Sequence, residues 1–257
     1  MLKLLKRLWK KTSEPLQARA RVTIPEERVS DIFAIGDIHG CLDLLVAAEQ
    51  RIFERMKHSS KPVIVLCVGD FVDRGPDSKG VIDHLIQRMP PPFYRICICG
   101  NHDDAFLEFL DSEQFDLGWL EFGGDKTLIS YGINVTRLRS KDPSGQLLRQ
   151  AARDAVPDDH VDFLERLPVS LSIGRYLFVH AGVVPGLPLS AQSDADLMWI
   201  REPFLSLGSG GDITVVHGHT PVGTIQYGTN RIGIDTGAYA TGKLSVLHIG
   251  PHGVSEI

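Results

Sequence analysis

The stretch VIVLCVGDFVDRGPDS, residues 63–78, decides the fold. Five apolar residues from Val63 to Cys67, followed by Val68, predict a strand buried on both faces, as in the interior of a parallel sheet. The run stops at Gly69, and Asp70, Asp73 and Arg74 follow at once, closed by a Gly75-Pro76 turn. Two acids and an arginine at the carboxyl end of a buried strand lie where open α/β sheets hold their ligands. Asp after a strand is also ordinary turn chemistry, so this stretch alone leaves open a plain helix cap at Asp70.

The flanking segments repeat the pattern. Residues 31–35 predict a short buried strand that runs into Gly36-Asp37-Ile38-His39-Gly40. In extended backbone Asp37 and His39 point the same way, so an oxygen and a nitrogen donor converge from one strand end. Residues 94–99 predict a third buried strand, which ends at Gly100-Asn101-His102-Asp103. Helical periodicity covers 42–58 and 77–89, the second stopped by Pro90-Pro91-Pro92. The result is β-α-β-α-β, with a parallel sheet and every polar cluster at the same edge. Three strand ends that converge with such side chains predict a dinuclear metal site.

GDIHG, GDFVDRG and GNHD, in this order and at these separations, resemble the calcineurin-like metallophosphoesterase superfamily. More narrowly, they resemble its phosphoprotein-phosphatase branch in the short form found in bacteria and phages. Phe178-Val179-His180-Ala181-Gly182 and Val216-His217-Gly218-His219-Thr220-Pro221 are similar to that branch's last two metal-ligand segments, and Trp199-Ile200-Arg201 to its second phosphate-binding arginine. The resemblance runs from about residue 29 to residue 250. It implies a layered α/β/β/α sandwich of two mixed sheets flanked by helices.

The resemblance further implies Asp37, His39 and Asp70 on one metal, and Asp70, Asn101, His180 and His219 on the other. Asp70 bridges the two, with a hydroxide shared between them. Carboxylate oxygens, imidazoles and an amide without thiolate suit two divalent ions, manganese first, with iron or zinc as alternatives. Arg74 and Arg201 would clamp phosphoryl oxygens. His102 would be the general acid for the leaving alkoxide, with Asp73 as its orienter. His217 is expected to hydrogen-bond nearby rather than ligate. Many diesterases of the superfamily read G-H-x-H at the last motif, whereas this chain reads Gly218-His219-Thr220-Pro221, as in the phosphatase branch.

The function expected is metal-dependent phosphomonoester hydrolysis, on serine or threonine phosphates of proteins. The alternative is symmetrical hydrolysis of diadenosine tetraphosphate, because bacterial enzymes of that kind share these motifs. Those hydrolases usually carry Ala where this chain has Asp73, which favours the phosphatase. A catalytically dead scaffold is disfavoured by the presence of every ligand position and of His102.

The rest of the chain is less legible. Residues 104–168 predict a helical insertion over the site, with helices at 103–110 and 115–122, a Gly123-Gly124 turn, and two more helices within 145–167 split at Pro157. Lys126, Tyr131 and Arg137 are either substrate contacts or solvated surface. Strands are expected at 171–173, 176–179 and 213–216, and two more at 231–235 and 244–249 close a second sheet. His58, His84, His160, His248 and His252 have no motif around them and read as surface or packing residues.

Composition bounds the partners. The 257 residues carry a formal net charge of −5, with 43% hydrophobic and 23% charged residues. Residues 1–21 hold seven Lys or Arg against one acid, so the remaining body is strongly acidic and no nucleic-acid partner is expected. The substrate expected is a phosphorylated protein or a small phosphoester. Cys41, Cys67, Cys97 and Cys99 lie in or beside apolar runs without C-x-x-C spacing, which reads as reduced core thiols of a cytoplasmic protein. In residues 1–11, Leu2, Leu4, Leu5, Leu8 and Trp9 fall on one arc of a helix and Lys3, Lys6, Arg7, Lys10 and Lys11 on another. Such a helix can lie on an anionic membrane surface or in a partner's groove, or dock on its own domain. Residues 12–27 read as linker, giving a helix and linker over 1–27 and a catalytic domain over 28–257.

Overall fold

The computed structural model describes residues 18–112 and 115–257. The expected helix at 1–11 lies outside the described residues. Two mixed sheets stack face to face, with helices outside them. In chain order the first elements are β1 (Arg21–Ile24), β2 (Asp31–Ile35), α1 (Leu42–Met56), β3 (Val63–Cys67), α2 (Ser78–Ile86), β4 (Phe93–Cys97) and α3 (Asn101–Asp111). A 3-10 helix at Leu117–Phe122 leads to α4 (Gly124–Ser130), α5 (Val135–Lys141), α6 (Gln146–Ala155) and α7 (Asp158–Glu165). There follow β5 (Ser170–Ile173), β6 (Tyr176–Val179), α8 (Asp194–Trp199), α9 (Phe204–Leu207), β7 (Thr214–His217), β8 (Gln226–Gly228) and β9 (Arg231–Gly233). The chain closes with α10 (Ala238–Thr241), β10 (Val246–Gly250) and β11 (Gly253–Glu256).

The first sheet runs β11-β10-β2-β3-β4, with β2, β3 and β4 parallel, and the second runs β1-β5-β6-β7-β9-β8. Alternation along each strand divides the core in two. Ile32, Ala34, Ile64 and Leu66 turn inward against Leu171, Phe178, Val216 and Ile232 of the second sheet. Phe33, Ile35, Val63, Val65 and Cys67 turn outward against Leu45, Ala48, Ile52, Val81, Ile82 and Leu85 of α1 and α2. All four cysteines are free and buried, as expected of core thiols.

Three expectations are corrected. Part of the stretch read as linker is strand: β1 pairs in parallel with β5, Arg21 opposite Ser170 and Ile24 opposite Ile173. The last long strand does not close the second sheet. Instead β10 joins the first, antiparallel to β2, with Val246 opposite Ile35. After the Gly123-Gly124 turn the helical insertion holds α4 and α5. Tyr131 is neither substrate contact nor solvated surface: it is buried, and its hydroxyl meets His160 Nδ1 at 2.8 Å.

Basic residues before and within β1 tie it down. The Arg19 backbone N–H donates to Asp194 Oδ2 at 2.7 Å, and its guanidinium donates to Leu164 O, Leu167 O and Asp104 Oδ1 at 3.0, 3.2 and 2.8 Å. Arg21 pairs with Asp194 Oδ1 at 2.8 Å. The bonds to Leu164 O and Leu167 O satisfy carbonyls at and just beyond the end of α7. Arg19→Met, which keeps the apolar stem, is expected to lower unfolding free energy by about 1–3 kcal/mol in urea titration. An unchanged midpoint would show that these bonds contribute nothing net.

Candidate metal centre and proton-transfer site

Five strand ends deliver the site: the loops after β2, β3 and β4 from the first sheet, and those after β6 and β7 from the second. The backbone there is unusual. His39, Asp70, Asp73, Arg74 and His219 have φ of 45, 54, 72, 67 and 64°, a left-handed region that side chains rarely adopt. Hydrogen bonds from neighbouring loops hold it. The Asp103 carboxylate accepts the backbone N–H of Asp70, Phe71 and Gly100 at 2.9, 2.8 and 2.9 Å. The Asp70 carbonyl accepts from His39 N at 2.7 Å, which locks the first loop onto the second. Gly218 is required by close approach, since a Cβ there would collide with Asp37 Oδ1.

Within this frame Asp70 is central. Its Oδ2 lies 3.4 Å from His39 Nε2 and 3.3 Å from His180 Nε2. His39 Nδ1 is 2.8 Å from Val72 O and His180 Nδ1 is 2.9 Å from Val68 O, so each donates N–H outward and turns Nε2 toward Asp70. Asn101 Oδ1 meets His180 Nε2 at 2.9 Å and His219 Nδ1 at 2.8 Å. Asp37 Oδ2 accepts from His219 N at 2.9 Å. Two groups have ligand atoms close enough to share an ion: His39, Asp70 and His102, and Asp70, His180 and His219.

The donor set fits divalent ions. Asp37 Oδ1, His39 Nε2 and His219 Nε2 are buried with no hydrogen-bond partner among the described residues, a costly state unless a cation meets them. Burial pushes His39 and His219 down to about 3, which leaves neutral imidazoles fit to ligate. Burial also opposes charge on His180, but Asp70 and Asp37 outweigh it and push that imidazole up to about 10. Burial and the neighbouring Asp235 raise the Asp37 carboxyl well above its ordinary value. Acids crowded so closely call for positive charge.

Beside this cluster lies a buried imidazole–carboxylate pair. His102 Nδ1 is 2.7 Å from Asp73 Oδ2, and Nε2 is 2.9 Å from the Arg74 guanidinium. The His102 backbone N–H donates to Asp70 Oδ1 at 3.0 Å, which ties the pair to the centre. Burial opposes the imidazolium, yet Asp70 and Asp73 together raise His102 above its ordinary value.

Asp37, His39, Asp70, Asn101, His180 and His219 therefore converge with His102, Asp73 and Arg74. Arg201 is exposed, and its positive charge helps keep His219 neutral. His217 does not face the cluster: its Nδ1 meets Gly218 O at 3.0 Å and its ring packs against Phe204. Sequence reasoning missed four contributors. Asp103 stands within GNHD, but its three-amide grip is invisible in sequence. Asp235 follows β9 as another buried acid, marked only by the strand before it. The Tyr239 ring sits under Arg74 at 4.9 Å, edge-on to His39. Trp119 donates its indole N–H to Asp73 Oδ2 at 2.7 Å.

Similarity to known proteins agrees with this geometry. The chain is 29% identical over 228 residues to serine/threonine-protein phosphatase 1 of Salmonella typhimurium, covering 85% of this chain and 91% of that one. It is 27% identical over 233 residues to an asymmetrical bis(5'-nucleosyl)-tetraphosphatase of Oceanobacillus iheyensis, covering 82% and 85%. A protein serine/threonine phosphatase from Saccharomyces cerevisiae shares the fold at a TM-score of 0.56 and 19% identity, over 92% of this chain and 78% of that one. The family model for calcineurin-like phosphoesterases matches residues 30–247, and the chain is a hydrolase belonging to that family.

Proposed function

We propose that the protein is a phosphomonoesterase of the serine/threonine phosphatase kind, working with two divalent metal ions, manganese by preference. The observation that carries this reading is the Asp73–His102 pair at 2.7 Å beside the Asp70 cluster. An alkoxide such as a serine side chain is a poor leaving group and needs a proton as it departs. A nucleotide leaving group is a far weaker base and can depart without one.

In this reading Asp37, His39 and Asp70 would hold one ion and Asp70, Asn101, His180 and His219 the other, Asp70 being common to both sets. The ions would supply Lewis-acid polarisation of the phosphoryl oxygens and an activated water. The chain's own side chains do the rest. Arg74, held by Tyr239 beneath its guanidinium and by the Gly123 carbonyl on its backbone N–H, is aimed to bind phosphoryl oxygens, with Arg201 approaching from the His219 side. Arg74 now touches His102 Nε2, so phosphate binding would draw the guanidinium away and free that nitrogen to carry the proton. Asp73 keeps the opposite nitrogen in place throughout.

A second reading is hydrolysis of dinucleoside polyphosphates, favoured by the tetraphosphatase relative that aligns over most of both chains. A manganese-reconstituted panel separates the two. A phosphoserine peptide is expected to turn over faster than diadenosine tetraphosphate, and Asp73→Ala to damage the peptide reaction more. The reverse ranking, with the nucleotide reaction the more sensitive, would establish the second reading instead.

Two substitutions test the centre itself. Asp70→Asn keeps a residue that tolerates positive φ but removes the shared charge. It is expected to retain the circular dichroism spectrum, lose bound metal by elemental analysis and abolish turnover. Two ions per chain with normal activity would refute the bridging role. His102→Asn is expected to cut phenyl phosphate turnover by roughly 10²–10⁴ and p-nitrophenyl phosphate turnover much less. Equal losses would remove His102 from the proton-donor role.

A further inference from the structure

Three donors converge on the carboxylate of Asp73, a side chain sealed from solvent. His102 Nδ1 and Trp119 Nε1 both meet Oδ2 at 2.7 Å, and Thr127 Oγ1 donates to Oδ1 at 2.6 Å. Thr127 also accepts the Asp73 backbone N–H at 2.8 Å, so one hydroxyl fixes both the main chain and the side chain of the same residue. Only His102 belongs to the strand-end motifs. Trp119 lies on the 3-10 helix and Thr127 on α4, both in the helical insertion.

The two are themselves firmly placed. The Trp119 ring stacks on Phe106 at 5.5 Å and packs on Phe109 at 4.8 Å. Thr127 Oγ1 meets Ser78 Oγ at 3.1 Å, and Ser130 Oγ accepts the Lys79 N–H at 3.1 Å, which fastens α4 to α2. Between them, the Gly123 carbonyl accepts the Arg74 N–H at 3.2 Å. A side chain at Gly123 would strike Arg74. The insertion therefore grips the Asp73-Arg74 segment, two successive residues held at positive φ.

We propose that Trp119 and Thr127 are positioning residues for the proton donor: by fixing both oxygens of Asp73 they fix the plane in which it holds His102 Nδ1, and so the direction in which Nε2 presents its proton. This rests on the reading of His102 as general acid. A carboxylate turns about a broad, two-fold torsion, so a single bond to His102 would leave its plane loose. Proton transfer falls steeply when donor and acceptor are misaligned. On this account a helical segment outside every strand-end motif completes the catalytic pair, beyond covering it.

The test compares Thr127→Val, Thr127→Ser and Trp119→Phe in the full chain reconstituted with manganese, using phenyl phosphate and p-nitrophenyl phosphate, in His102 and His102→Ala backgrounds. Thr127→Val and Trp119→Phe are expected to lower kcat on phenyl phosphate by roughly 10–100-fold with KM changed less than about threefold. Loss on p-nitrophenyl phosphate should stay under about threefold, and Thr127→Ser should recover phenyl phosphate turnover. In the His102→Ala background Thr127→Val should cost nothing further, because the donor it positions is gone. Equal losses on both substrates, no recovery by Ser, or an undiminished loss without His102 would each overturn the proposal. If His102→Ala itself spares phenyl phosphate, the general-acid reading fails and the proposal with it. If His102→Ala loses phenyl phosphate turnover while the Thr127 and Trp119 variants keep it, the proposal alone fails.

Discussion

The site depends on one carboxylate that does no chemistry in it. Asp103 gathers the backbone N–H groups of Asp70, Phe71 and Gly100, which belong to the loops after β3 and β4. Without that acceptor, three buried donors would be unsatisfied and Asp70 would have no reason to remain at positive φ. Burial and the neighbouring Asp70 push the Asp103 carboxyl up to about 7, against the pull of its N–H partners. The arrangement is tolerable because those partners are fixed dipoles that stand where a cation cannot. From Asp103 the constraint spreads outward. Asp70 orders the first loop through its carbonyl, His102 through Oδ1, and His39 and His180 through Oδ2.

Electrostatic crowding is the second governing fact. Asp37, Asp70 and Asp235 lie close enough for each to feel the others' charge, and His180 answers by holding a proton far more tightly than a free imidazole does. Divalent cations answer the same demand with ligands already in place. Binding them should therefore add to the stability of the fold as well as supply function, by the ordinary linkage between a ligand and the state that binds it.

Much of this was legible in sequence, for a specific physical reason. β2 and β3, buried at every position, leave largely apolar runs, while β4 proves to be an edge strand with Tyr94 exposed; glycines mark where all three stop. GDIHG, GDFVDRG and GNHD therefore announce both strand and site. Features that depend on distant partners were not legible. RVTI in β1 is three half-buried residues and an exposed Thr23 after a basic, Pro-containing stretch, and only its pairing with β5 makes it a strand. Residues 246–250 read clearly as a strand, but alternation says nothing about which sheet receives it. Trp119 and Thr127 look like insertion residues because their partner, Asp73, lies more than 40 positions away.

The return of β10 to the first sheet also shapes the order in which the molecule can be made. β10 covers the edge of β2, a strand buried at every position, yet it is separated from β2 in the chain by every strand from β3 to β9. During synthesis β2 and β3 emerge with one apolar edge open, and that edge stays open until β10 has been made. The nascent chain therefore carries an open edge until residue 246 is made, and a premature stop before that residue leaves it bare.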